Sequence, residues 1–127
     1  MLRDAPLKFT RELTGTLTVQ SVSTSTITVN GTPYSQSIAI TPDTVFDNWQ
    51  AKPVANLAAS DFETLLALSP EIILLGTGHQ NIFPPRELMF AFARRGVGLE
   101  CMDTAAAART FNVLASEGRQ IAAVLYL

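Results

Sequence analysis

Residues 71–104 read "EIILLGTGHQNIFPPRELMFAFARRGVGLECMDT" and contain two apolar runs with a helical segment between them. The first apolar run ends in Gly76-Thr77-Gly78, and the second, Val97 to Met102, ends in Asp103-Thr104. Short apolar runs bounded by turn signals read as buried strands. Between them Pro84-Pro85 opens a helix and Gly96 ends it, the usual places for those two residues. The stretch therefore predicts a strand over 71–76, a helix over 84–95 and a strand over 97–102. Downstream, a helix over 105–116 ends at Glu117-Gly118, and Gln120 to Leu127 is a final apolar strand.

Upstream the texture differs. From Leu13 to about Ile40 the chain is rich in Thr, Ser, Val and Ile, with Leu17, Val19, Ile27 and Val29 at alternating positions, which is strand chemistry. Asn30-Gly31 sits between two such runs and tolerates the positive φ of a primed two-residue turn, so a hairpin is expected there. Thr41-Pro42-Asp43 ends the second arm. Val45 to Trp49 reads as a further short strand packed through the core aromatics Phe46 and Trp49. Ser60-Asp61-Phe62-Glu63 matches a capping box, with Phe62, Leu65, Leu66 and Ser69 at helical spacing and Pro70 closing the element. An antiparallel hairpin region followed by β-α-β-α-β predicts one domain over residues 1–127, an α/β sandwich with a mixed sheet.

The chain has 127 residues, enough for one core without disulfides or metals. Apolar residues make up 47% and charged residues 16%, against roughly 25% charged in soluble domains. Spare apolar surface is therefore expected to meet a protein partner or a second copy. The net charge of −2 arises from scattered groups, and the lack of a basic stripe argues against nucleic acid. Cys101 is the single cysteine, so no internal disulfide forms and a reducing cytoplasm fits best. The sequence shows no signal-like segment and no run long enough to cross a bilayer.

The glycines invite a dinucleotide reading, since Gly76-Thr77-Gly78 follows a strand and Glu100 lies one βαβ unit later. Asn81 occupies the third glycine position, and His79 to Phe83 separate the glycines from the helix, so the amides that cradle a pyrophosphate are displaced. No Lys-Ser or Lys-Thr makes a phosphate loop. No cofactor is expected. One His and one Cys without ligand spacing give no metal site, and a His79–Cys101 nucleophilic pair is weaker than the plain reading of a surface histidine and a small buried thiol.

What remains is position. Ligands of open α/β sheets bind beyond the carboxyl ends of the strands, where Gly76, Thr77, Gly78 and His79 lie with Asp103 and Thr104. Asp103 or Thr104 also caps the following helix. In "TAAAARTFNVLASEGR", Ala107, Phe111, Leu114 and Ala115 form the stripe for the sheet, and Arg109, Asn112 and Ser116 form another. Arg109 and Asn112 either face a small anionic ligand or a partner, or Asn112 simply ties a loop to the helix. Arg119 reaches either an anion or the last helix carbonyls. Ile82-Phe83-Pro84-Pro85 is an apolar loop entry that staples the helix, covers the crevice or meets a partner.

Gly76-Thr77-Gly78, Asp103-Thr104, Arg109-Thr110-Phe111-Asn112 with Leu114, and Glu117-Gly118-Arg119 together resemble the MTH-nine-three-eight-like family of unknown function. The motifs cover roughly residues 72–125. An early Phe9 segment, the Asn-Gly hairpin and Trp49 match in style. The resemblance implies a three-layer α/β fold around a mixed sheet, with no established enzyme activity. It also brings in a mitochondrial member that acts in assembly of respiratory complex I through partner proteins. The expected function is accordingly a non-enzymatic binding or assembly-type module, with a small-ligand or anion site in the crevice as the alternative.

Overall fold

The computed structural model describes residues 16–127. The Phe9 segment and the strand start at Leu13 lie outside them. Strands β1 (Val19–Val22), β2 (Ile27–Val29) and β3 (Thr32–Tyr34) form a small antiparallel sheet in that order. Asn30 and Gly31 turn β2 into β3 with φ of 46° and 85°, the two positive values a primed turn requires.

The main sheet contains β4 (Ile38–Thr41), β5 (Thr44–Phe46), β6 (Ile72–Gly76), β7 (Gly98–Met102) and β8 (Ile121–Leu125), ordered β5-β4-β8-β6-β7. Strands β6, β7 and β8 run parallel, and β4 is antiparallel to both β5 and β8. Each parallel pair needs a crossover. Helix α2 (Arg86–Arg94) links β6 to β7, and α3 (Thr104–Ser116) links β7 to β8.

Alternation along the strands builds the layers. Ile38, Ile40, Leu74, Ala123 and Leu125 point to one face, where Phe111 and the small alanines of α3 meet them beside Val19, Ile27 and Val29 of the small sheet. Ala39, Ile73, Leu75, Ala122 and Val124 point to the other, covered by Leu88 and Phe92 of α2 and by Phe62, Leu65 and Leu66 around the short helix α1 (Glu63–Leu66). The result is the three-layer α/β sandwich with a mixed central sheet.

Three local expectations are corrected. Ser60 caps nothing: a 3-10 turn already spans Ala59–Phe62, and it is the Asp61 carboxylate that accepts the Ala58 amide at 2.9 Å. Asp61 also holds Lys52 at 3.0 Å while Glu63 pairs with Arg95 at 3.2 Å, so tertiary partners set the start of this element. Burial raises the Asp61 pKa, but the Ala58 amide and Lys52 outweigh it and hold the carboxyl below its ordinary value. Ser69 leaves the helical stripe, because the chain turns at φ 55° there to reach Pro70. The strand expected over 45–49 stops at Phe46, and Trp49 packs from a loop onto Phe62 with ring centroids 5.4 Å apart.

Candidate functional site

The parallel strands end side by side, and the turns that follow them are fastened to each other. Thr77 donates its amide to the Met102 carbonyl (2.9 Å), and Thr104 donates its amide to the Gly78 carbonyl (2.8 Å). The Thr104 hydroxyl accepts the Gly78 amide at 2.8 Å and donates to the Tyr126 carbonyl at 2.6 Å, joining the ends of β6, α3 and β8 through one buried side chain. Gly76 is what lets α3 come this close. A Cβ on Gly76 would stand 2.9 Å from the Thr104 Cα and 3.1 Å from the Ala107 Cβ, inside contact distance. Gly78 adopts φ 98°, a conformation that favours glycine. Asp103 caps α3 through its carboxylate, which accepts the Ala106 amide at 2.8 Å.

A crevice of about 360 Å³ opens above this junction, with Gly78, His79, Asp103 and Thr104 on one wall and Ser23 and Thr24 of the β1–β2 turn on another. Val22 and Ala105 also line a neighbouring depression that contains Arg109 and Asn112, so six of the expected residues share one side of the molecule. The other three separate. Gly76 is packed beneath Thr104. Thr77 faces a different hollow with Lys52, Ile82 and Tyr126, where its hydroxyl donates to the Gln80 carbonyl and accepts the Ile82 amide at 3.0 Å. Arg119 lies beyond the opposite end of the strands, paired with Glu71 at 3.1 Å.

Most of the polar atoms in the cluster already have internal partners. Asn112 is bonded twice to one residue of β1: its Oδ1 accepts the Val19 amide and its Nδ2 donates to the Val19 carbonyl, both at 2.9 Å. Of the two sequence readings, this geometry is the tie between helix and strand. Arg109 and His79 stay exposed. Cys101 is half-buried on the α2 side of β7, and burial together with the Glu100 charge pushes its thiol up to about 11, which disfavours the thiolate a nucleophile needs. Among the described residues no cluster of three or more metal-ligating side chains occurs.

The largest departures from an ordinary surface are apolar. Phe83 is 77% exposed and Phe90 54%, with Ile82 and Met89 also on the surface, in the loop after Gly78 and on α2; Leu68 and Val113 are exposed elsewhere. The sequence pointed to Ile82 and Phe83 but missed Met89 and Phe90. Their signal was present, since Leu88 and Phe92 claim the inward stripe of α2 and leave Phe90 between Arg86 and Arg94 on the other. The Ser23-Thr24 wall was also missed, because the turn lies far from the crevice in sequence.

Residues 19–126 match a family described as "Protein of unknown function (DUF498/DUF598)". The NADH dehydrogenase [ubiquinone] 1 alpha subcomplex assembly factor 3 of Rattus norvegicus is 30% identical over 109 residues, which are 84% of this chain and 58% of that protein. A "13 kDa major membrane protein" of Francisella tularensis is 32% identical over 72 residues, covering 57% of this chain and 58% of its own length. The chain thus spans under two thirds of these relatives. A solution structure from Bordetella pertussis, described as a Mth938-like domain, superposes with a TM-score of 0.76 at 29% identity, covering 94% of this chain and 90% of that one. No helix among the described residues is long and apolar enough to cross a membrane.

Proposed function

Because this chain belongs to the family of proteins of unknown function DUF498/DUF598, we propose that it works as a non-enzymatic binding or assembly-type module that acts through a protein partner. The observation that carries this reading is the exposed apolar stretch of Ile82, Phe83, Met89 and Phe90. Contiguous exposed apolar surface marks interaction sites more often than single exposed side chains do, and Ile82 adjoins Phe83 and Met89 adjoins Phe90 along the chain. Aromatic and arginine side chains, here Phe83 and Phe90 with Arg86 and Arg94, are the types enriched in the centres of protein interfaces. Relatives named as complex I assembly factors agree in kind. The polar chemistry at the strand ends does not compete with it, since Thr77, Gly78, Thr104 and Asn112 commit their polar groups to the fold.

The test is affinity purification of the intact chain from its native cells beside the double variant Phe83→Ser/Phe90→Ser. One protein retained by the parent and lost by the variant supports the reading. An identical set of retained proteins, with both chains equally folded by circular dichroism, contradicts it.

The crevice favours a second reading, a small anionic ligand held in about 360 Å³ beside His79. Asp103 weighs against it, because this acidic residue lines the same space. Thermal denaturation with inorganic phosphate separates the two: a ligand at a hundred times its dissociation constant stabilises by about 2.7 kcal/mol.

A further inference from the structure

Four strands border the two sheets, and the two edges of the small sheet are obstructed while β5 has only three residues. On β1 the Asn112 amide takes both polar groups of Val19. Strand β3 carries Pro33, which has no amide to offer. Beside the short β5, Gln36 donates to the Asp47 carbonyl. Strand β7 differs. It has five residues, ends the sheet, and pairs only with β6 among the described residues.

The direction of its backbone groups is fixed by a hydrogen bond at each end. Gly98 donates its amide to the Glu71 carbonyl, and the Met102 carbonyl accepts the Thr77 amide. Successive residues of a strand alternate in direction, so Gly98, Glu100 and Met102 bond toward β6. Leu99 and Cys101 therefore aim an amide and a carbonyl each away from the sheet. On the α3 side, Thr110 stands 3.7 Å from the Met102 sulfur, and Val113, one turn further along that helix, is 56% exposed.

Glu100 says what fits. It is exposed at the middle of the edge, with no ion pair among the described residues. In the register centred on Glu100, a second copy pairing antiparallel would set two carboxylates opposite each other, which is destabilising, whereas a basic side chain at that place is attracted. We infer that β7 accepts an extended segment of a partner protein, paired through Leu99 and Cys101, with a lysine or arginine opposite Glu100 and apolar neighbours. The proposal rests on the partner-binding reading only in making the occupant a protein, and it does not use Phe83 or Phe90.

The C-terminus lies at the same end of the sheet as Met102, so a donor strand can be attached to the full chain. Thr-Val-Lys-Val-Thr is joined after Leu127 by a flexible Gly/Ser linker, and amide exchange is read by NMR. In the parent chain the Leu99 and Cys101 amides exchange faster than those of Gly98 and Glu100, and the lysine donor slows them by about tenfold or more. A donor with glutamate in place of lysine protects less, and Glu100→Lys reverses that order. Protection of Leu99 and Cys101 already in the parent, whether by a second copy or by the chain itself, overturns the proposal. Equal protection by both donors, or by neither, does so too. Loss of the Phe83/Phe90-dependent partner leaves these readouts unchanged, so the two readings fail separately.

Discussion

The side-chain amide of Asn112 in α3 is bonded to both backbone polar groups of Val19 in β1, taking the place of a neighbouring strand. The two residues are 93 positions apart, and this contact docks the small sheet against the helix that closes the main one. Asn112→Ala removes both bonds and leaves Val19 without partners at a part-buried position. A loss of about 1–3 kcal/mol is expected, read as a fall in the denaturant midpoint with unchanged slope. An unchanged midpoint would show that water replaces the amide at no cost.

Thr104 supports a sharper comparison. Its hydroxyl serves the Gly78 amide and the Tyr126 carbonyl at once. Thr104→Val keeps the shape but orphans both, at a cost of about 1–3 kcal/mol, whereas Thr104→Ser keeps the bonds. Equal unfolding midpoints for the two variants would contradict the hydroxyl's role.

Two glycine replacements separate crowding from backbone conformation. Gly76→Ala drives a methyl into the Thr104 backbone, and overpacking of this kind costs about 1–3 kcal/mol. Gly96→Ala meets open space and suffers only from its φ of 71°, an effect of about 1 kcal/mol, at the lower end of the left-handed penalty. Thermal unfolding of both, with Gly76→Ala the less stable, checks the close approach of α3 to β6.

Cys101 gives the pH dependence. Burial and then the Glu100 charge raise its pKa from 9.0 to about 11. The unfolded thiol ionises first, so between these two values the unfolded state binds fewer protons and stability falls as pH rises. Below 9.0 this group contributes no slope, and above about 11 the slope ends. Alkylation of the native chain is correspondingly slow at neutral pH, and Glu100→Gln accelerates it. Rapid labelling at pH 7 would revive the thiol as a reactive group.

The β-α-β-α-β half was legible because its signals are local: Asp103 caps the helix it precedes, and Gly96 and Gly118 end helices at positive φ. The Asn30-Gly31 hairpin was legible for the same reason. What escaped was decided across the chain. Ser60 lost its role to Asp61 because Lys52 and Arg95 hold Asp61 and Glu63 from elsewhere in the fold. Arg119 left the expected site because its helix runs away from the crevice toward Glu71. Asn112 was placed on the correct helix stripe, but nothing near it in sequence announces Val19. The Gly-Thr-Gly and Asp-Thr motifs were located correctly at adjoining strand ends, where their most definite physical role is to fasten those ends together.

Whether the surface at Phe83 and Phe90 meets a protein is read out by photo-crosslinking in living cells. A photoreactive residue is placed at position 83, at 90, or at the exposed Glu117 beyond the far end of α3. The same discrete protein adduct is expected from 83 and 90 and none from 117. Absence of an adduct at both aromatic positions, or the same adduct from 117, would contradict it.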